Sequence, residues 1–171
     1  MSEQSDFKIV KLAPERWEEF RALRLEALKL HPHTFVSLYE EEVEYNSAKW
    51  QSFLTQDKYT YLFAQDNQQQ LVGMGALVRH PGKKYTHIAE LGSVFVKPEV
   101  RRQKAFTLIL NSLEAVAKRD QIEKLISYCV NRNVNSVSAY LKNGFKIVGN
   151  FSKQMKHNGE YFDEYILEKF L

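Results

Sequence analysis

The chain has 171 residues, 44% hydrophobic and 26% charged, with a formal net charge of +3 at pH 7. That is enough to bury a core in one domain over residues 1–171, and the charge is too small to indicate nucleic acid by itself. One cysteine, Cys129, excludes an intramolecular disulfide and fits a reducing compartment, and no apolar run reaches membrane-spanning length.

In chain order, Phe7–Leu12 alternates enough for a first strand. Pro14 suits the first turn of a helix, where its missing N–H costs nothing. Trp17, Phe20, Leu23, Ala27 and Leu30 form one apolar face of that helix, and His31-Pro32 ends it. Residues 46–57 predict a second helix capped by Asn46 or Ser47. Strands are expected over Tyr59–Ala64 and Leu71–Val78, joined by the polar turn Asp66–Gln70, and a third near Tyr85–Val96. A helix carries the stripe Phe106, Ile109, Leu110, Leu113, Val116 and Ala117. Lys124–Val130 reads as a buried strand and Asn133–Asn143 as a helix stopped by Gly144. Two closing strands fit near Phe145–Phe151 and Tyr161–Leu171, separated by the His157-Asn158-Gly159 turn. The order βααβββαβαββ predicts an α/β domain with a mixed sheet.

Residues 90–106, ELGSVFVKPEVRRQKAF, run from an apolar strand through a basic turn into a helix N-terminus. Unpaired N–H groups and the positive end of the helix dipole converge there, which suits phosphate, and Arg101, Arg102 and Lys104 add charge. The segment resembles the acetyl-CoA-binding segment of the GNAT family of N-acetyltransferases. That family's pattern is Arg or Gln, two residues, Gly, one residue, then Gly or Ala; here Lys104 and Phe106 stand at the small positions. A register shifted by one residue places Ala105 and Thr107 there, but it puts Asn111 where an apolar helix residue is expected. A second stretch, Val130 through Asn133, Ser136, Tyr140 and Lys142 to Gly144-Phe145, resembles the family's other hallmark at every position. The segments LEALKLHPHTF and HNGEYFDEYILEKFL resemble a common bacterial branch, so the likeness spans nearly the whole chain.

The resemblance implies a single-domain α/β fold with a mixed, mostly antiparallel sheet flanked by helices and splayed at the cofactor site. The strand bearing Val94, Phe95 and Val96 opens a gap for the pantetheine arm. Arg101, Arg102, Gln103, Lys104, Ala105 and Phe106 match the pyrophosphate loop, and Asn133 matches an asparagine that contacts the cofactor arm or ties down a strand. Tyr140 matches the tyrosine facing the cofactor sulfur. The implied reaction moves an acetyl group from acetyl-CoA, as co-substrate, to a primary amine of a small molecule, an amino acid or a protein N-terminus.

That chemistry needs a base for the amine and a donor for the thiolate. A phenol donates without ionising, which suits Tyr140, and Glu90 is the candidate base. Strand alternation places Glu90 on the face of Val94 and Val96. Phe35, Tyr39 and the acidic run Glu40-Glu41-Glu42 follow the first helix, where the family builds its acceptor pocket; acidic residues there favour a cationic amine. The five histidines lack metal-ligand spacing, so no metal is expected.

An alternative is a non-catalytic relative with altered acetyl-CoA binding, suggested by Lys104 and Phe106. A nucleic-acid binder built on Arg101–Lys104 is disfavoured because the cluster is short and lacks interleaved aromatics. The N-terminus MSEQSDFKIV lacks a basic segment followed by an apolar run. A cytoplasmic monomer or homodimer is therefore expected, contacting neither membrane nor nucleic acid.

Overall fold

The structure is a computed structural model describing residues 6–171. Strand β1 spans Phe7–Val10, two residues shorter than its alternation suggests. Pro14–Arg16 forms a single 3-10 turn, and helix α1 follows over Trp17–Leu30, ending at His31 as the His-Pro pair requires. A one-turn helix α2 occupies Tyr39–Glu42, and α3 spans Ser47–Thr55. Asn46 caps α3, its Oδ1 accepting from the Lys49 N–H at 2.9 Å.

Strands β2 (Tyr59–Asp66), β3 (Leu71–Arg79) and β4 (Ile88–Val96) form an antiparallel meander. Helix α4 spans Ala105–Arg119, β5 spans Lys124–Val130 and α5 spans Val134–Lys142. The last two strands are β6 (Lys146–His157) and β7 (Glu160–Phe170). Their two-residue turn, Asn158-Gly159, has both φ angles positive (49° and 81°), as a tight hairpin demands. Strand β6 runs six residues beyond Phe151, because a register shift between Phe151 and Met155, with Lys153 at φ 54°, absorbs the irregular pairing without ending the strand.

The seven strands lie in the order β1-β2-β3-β4-β5-β7-β6, all antiparallel except β4 with β5. One face carries α1 and α3 over an aromatic cluster of Phe20, Trp50, Phe63 and Phe95. The other carries α4 and α5 over Leu62, Leu91, Ile109, Leu113, Leu125 and Tyr140. Helix α4 sits close to the sheet because Gly73 and Gly75 lack side chains: a Cβ on Gly75 would stand 2.8 Å from Ile109 Cγ2 and 2.9 Å from Leu113 Cδ1. Among the described residues, no helix is long and apolar enough to cross a membrane.

Candidate active site

The parallel pair β4–β5 is joined for only three residues, Ile88↔Lys124, Ala89↔Leu125 and Glu90↔Ile126. Both strands continue, to Val96 and Val130, without pairing to each other. The sheet therefore forks after Glu90, leaving backbone N–H and C=O groups on both arms available to an extended guest. Ser127 sits at the apex, its hydroxyl donating to the Leu91 carbonyl at 3.0 Å in place of the next ladder bond.

A bulge in β4 directs the strand's side chains. Met74 pairs with Phe95 and Ala76 with Gly92, so Ser93 and Val94 together oppose the single residue Gly75. Ser93 takes a positive φ of 54° and bonds Tyr61 Oη at 3.3 Å. The extra residue reverses alternation beyond it. Val94 and Val96 consequently pack toward α4, while Glu90, Gly92 and Phe95 face the α1–α3 side. The expectation that Glu90 shares a face with Val94 and Val96 is thus overturned: an uninterrupted strand obeys it, and this one is bulged.

On the α4–α5 side, Tyr140 is 4% exposed and sits beside the fork apex, its phenol within hydrogen-bonding reach of Ser127. Burial pushes the phenol well above its ordinary value, against the stabilising Ser127 hydroxyl, so it stays protonated across the working pH range. Cys129 is buried there too, and burial raises its thiol.

The basic turn before α4 keeps a glycine-type backbone without glycine. Arg102 and Lys104 have φ of 64° and 69°, and Lys104 precedes the first residue of α4. The left-handed angle falls at Lys104, the position that the unshifted register assigns to glycine. No side chain caps α4 and no acidic residue occupies its first turn; the first helical bond is Leu108 N–H to Lys104 O at 2.9 Å. The first-turn N–H groups therefore point out of the helix, with no acidic residue within the turn itself. Arg101 is turned back instead, its Nε donating to Val96 O at 3.2 Å and its Nη2 lying 2.8 Å from His31 Nε2. Burial and the Arg101 charge hold His31 below its ordinary value. Gln103 is tied to Glu99 O at 3.1 Å.

Phe106 is half-buried, and its ring meets Tyr140 edge-on at a centroid separation of 5.4 Å. It packs inward against the core beneath α4 and α5. Replacing Lys104 and Phe106 together by glycine should relieve the left-handed cost of about 1–2 kcal/mol and free the space that the ring fills. Calorimetry of the double variant should show tighter acetyl-CoA binding; weaker binding would mean that the present side chains serve as contacts. Asn133 caps α5, its Oδ1 accepting from the Ser136 N–H at 3.2 Å.

On the opposite side of the fork lies a cavity of about 650 Å³. Phe35 lines it, together with Arg24, Glu42, Tyr61, Glu90 and Glu164. Tyr39 does not; its ring instead receives Lys29 Nζ at 4.5 Å from the centroid. Of the acidic run, Glu40 and Glu41 are exposed outside the cavity, and Glu42 is bound bidentately by Arg24 at 2.7 and 2.9 Å. Glu42 therefore offers no net charge to a guest.

Charge resides elsewhere. Glu90 opens onto the cavity, yet the surrounding walls raise its carboxyl above the ordinary value, with Lys58 and His80 opposing the shift. Glu164 is 7% exposed and is raised by burial and by the Glu90 charge. Sequence reasoning missed Glu164, Ser127 and Tyr61. None of the three left a signal there, since the closing strand carries Glu160, Asp163 and Glu168 besides Glu164.

The histidines are also less scattered than their spacing suggests. His33 and His157 meet with Nδ1 atoms 3.0 Å apart, one donating to the other, and His33 stacks on Phe162 at 5.0 Å. No group of three metal-ligating side chains occurs among the described residues.

Residues 14–145 match the family model described as the Acetyltransferase (GNAT) family. A search of curated proteins finds no match. Among solved structures, the chain is similar to a GNAT-family acetyltransferase from Streptococcus pneumoniae (22% identity, TM-score 0.83, covering 96% of this chain and 99% of that one). It is also similar to a ribosomal-protein-alanine N-acetyltransferase from Brucella melitensis (19%, TM-score 0.79, covering 96% and 99%). A third is a phosphinothricin acetyltransferase from Sinorhizobium meliloti in complex with acetyl-CoA (16%, TM-score 0.82, covering 97% and 89%). These likenesses establish a common fold: the forked sheet with α4 and α5 on one face belongs to an architecture shared along almost the entire chain. With the family model matched from the first helix through Phe145, this chain belongs to the GNAT acetyltransferase family.

Proposed function

We propose that the protein is an N-acetyltransferase that uses acetyl-CoA and a primary amine, brought together at the fork from opposite faces of the sheet. The observation that carries this reading is the division of the two proton-handling groups. Tyr140 lies on the α4–α5 side of the apex and Glu90 on the cavity side.

The chain's residues fit the co-substrate. The unpaired arms of the fork from Leu91 to Val96 suit the pantetheine arm, and the uncapped α4 N-terminus beside Arg102 and Lys104 suits the pyrophosphate. Acetyl-CoA supplies a thioester whose C–S bond breaks as the amine nitrogen forms the new C–N bond. Glu90 takes the proton of the incoming ammonium at its carboxylate, freeing the nitrogen lone pair. The Tyr140 hydroxyl gives its proton to the departing sulfur and recovers one from the nitrogen, which loses a second proton on becoming an amide. The apolar walls around Tyr140 exclude water and keep the phenol neutral.

The direct test is calorimetric titration with acetyl-CoA and with free CoA, followed by thiol release against a panel of amines. Micromolar binding with amine-dependent thiol release supports the reading. Absence of binding at millimolar concentration overturns it in favour of a non-catalytic ligand-binding or interaction protein. The specific observation behind that second reading is Phe106 at a loop position where the family's pattern has a small residue, with its ring packed on Tyr140.

A pH profile tests the base. Glu90 works deprotonated and its carboxyl is raised, so kcat/KM should fall with decreasing pH along a limb above the ordinary carboxylate range. Glu90→Gln should lower kcat/KM by about 10²–10⁴-fold and abolish that limb. A limb that survives the substitution assigns the base elsewhere.

A further inference from the structure

Glu164 is a buried carboxylate that the scheme above leaves unused. It is 7% exposed and lines the cavity, and no hydrogen bond or ion pair reaches it among the described residues. Among the described residues the sealed polar side-chain atoms without a partner are Trp50 Nε1 and Asn131 Oδ1, so the Glu164 carboxylate opens onto the cavity, where a ligand cation can reach it. Strand pairing places it on β7 opposite Val130 and Phe151, across the fork from Glu90 on β4. Both carboxylates line the same cavity, and burial and the Glu90 charge raise the Glu164 carboxyl. Among the described residues no ion pair reaches Glu90 either; Lys58 and His80 act on it without bonding it. The cavity's buried guanidinium is committed, since Arg24 spends two donors on Glu42 and a third, at 3.4 Å, on Ser93.

The cavity walls near the two carboxylates are aromatic. Tyr128 and Phe151 stack at 6.3 Å and are 43% and 40% exposed, and Phe35, Phe53 and Tyr61 line the remainder. Their ring faces suit a flat apolar body and favour a nearby cation.

We propose that Glu90 and Glu164 together bind the acceptor as its ammonium ion, and that the acceptor is a primary amine on an aromatic body with no carboxylate beside the nitrogen. This rests on the acetyltransferase reading, and it selects among the amines open to that reading. An α-amino acid would bring its carboxylate against two like charges, while the cavity's guanidinium is held by Glu42 and its lysine, Lys49, lies with Nζ over the Tyr45 and Phe53 rings at 5.7 and 5.0 Å. In the reaction Glu90 remains the proton acceptor, and Glu164 is a binding residue that positions the cation.

The test uses phenethylamine and phenylalanine, which share ring and amine and differ by the carboxylate. Calorimetry of the intact protein, alone and with CoA, should show phenethylamine binding at least about tenfold more tightly than phenylalanine. Glu164→Gln, nearly isosteric, should weaken phenethylamine binding by about ten- to a hundredfold with acetyl-CoA affinity unchanged. Equal binding of the two compounds, no binding of phenethylamine, or an unaltered constant in Glu164→Gln overturns the proposal. The comparison of the two compounds needs no variant, so it holds even where Glu164→Gln fails to fold. Loss of acetyl-CoA binding would instead count against the acetyltransferase reading, and phenethylamine binding to the protein alone separates the two failures.

Discussion

Tyr140→Phe should reduce turnover by about ten- to ten-thousand-fold while acetyl-CoA affinity stays nearly constant. The substitution removes one hydroxyl from a ring whose packing it leaves alone. Phe106 at 5.4 Å and Phe145 at 5.1 Å contact the ring, and phenylalanine keeps both contacts. The lost oxygen is the one beside Ser127 at the fork apex, and in the proposed reaction it is the proton donor to the departing sulfur. The effect therefore belongs to kcat rather than to binding. Because burial holds the phenol above its ordinary value, it is a neutral donor throughout the accessible range, and the wild-type profile should carry no alkaline limb from this tyrosine. Stability should fall by only about 1 kcal/mol, the net worth of one hydroxyl hydrogen bond. Unchanged turnover in the variant, with acetyl-CoA still bound, removes Tyr140 from the chemistry.

Arg24→Ala should destabilise the protein by about 3–5 kcal/mol, because it strands the Glu42 carboxylate. The side chains of the pair are only 8% and 5% exposed, and the guanidinium also lies 4.9 Å over the Phe35 ring. For a chain of this size the loss corresponds to a fall in Tm of about 6–20 °C, at about 2–4 °C per kcal/mol. Arg24→Met with Glu42→Leu should recover most of it, since removing both charges removes the buried orphan. Thermal melts of the single and double variants check this. A single variant within about 1 kcal/mol of wild type would mean that the pair behaves as a solvated surface bridge. The arrangement also explains why an acidic run in sequence does not make an acidic cavity. Glu42 needed a partner on α1, and only the packing of α1 against α2 supplied it.

Much of the fold was legible because its signals are local. The apolar stripe from Phe106 to Ala117, the His31-Pro32 stop and the Asn158-Gly159 turn each depend on neighbours within a few residues, and each appears where its chemistry puts it. The turn from Arg101 to Lys104 was recognisable by order of residues, although not its left-handed backbone at two non-glycine positions. The short helix α2 and the bulges of β4 and β6 were not legible, because each answers to a partner element distant in sequence.

For this protein the sequence by itself determined the order of the strands and the long helices and the two family signatures, since these rest on spacing along one chain. Tertiary structure alone decided which face Glu90 looks toward, because a bulge exists only relative to the strand it pairs with. It alone matched Arg24 to Glu42 and brought Glu164 and Glu90 to one cavity, since a charge is compensated or left bare by what folds against it.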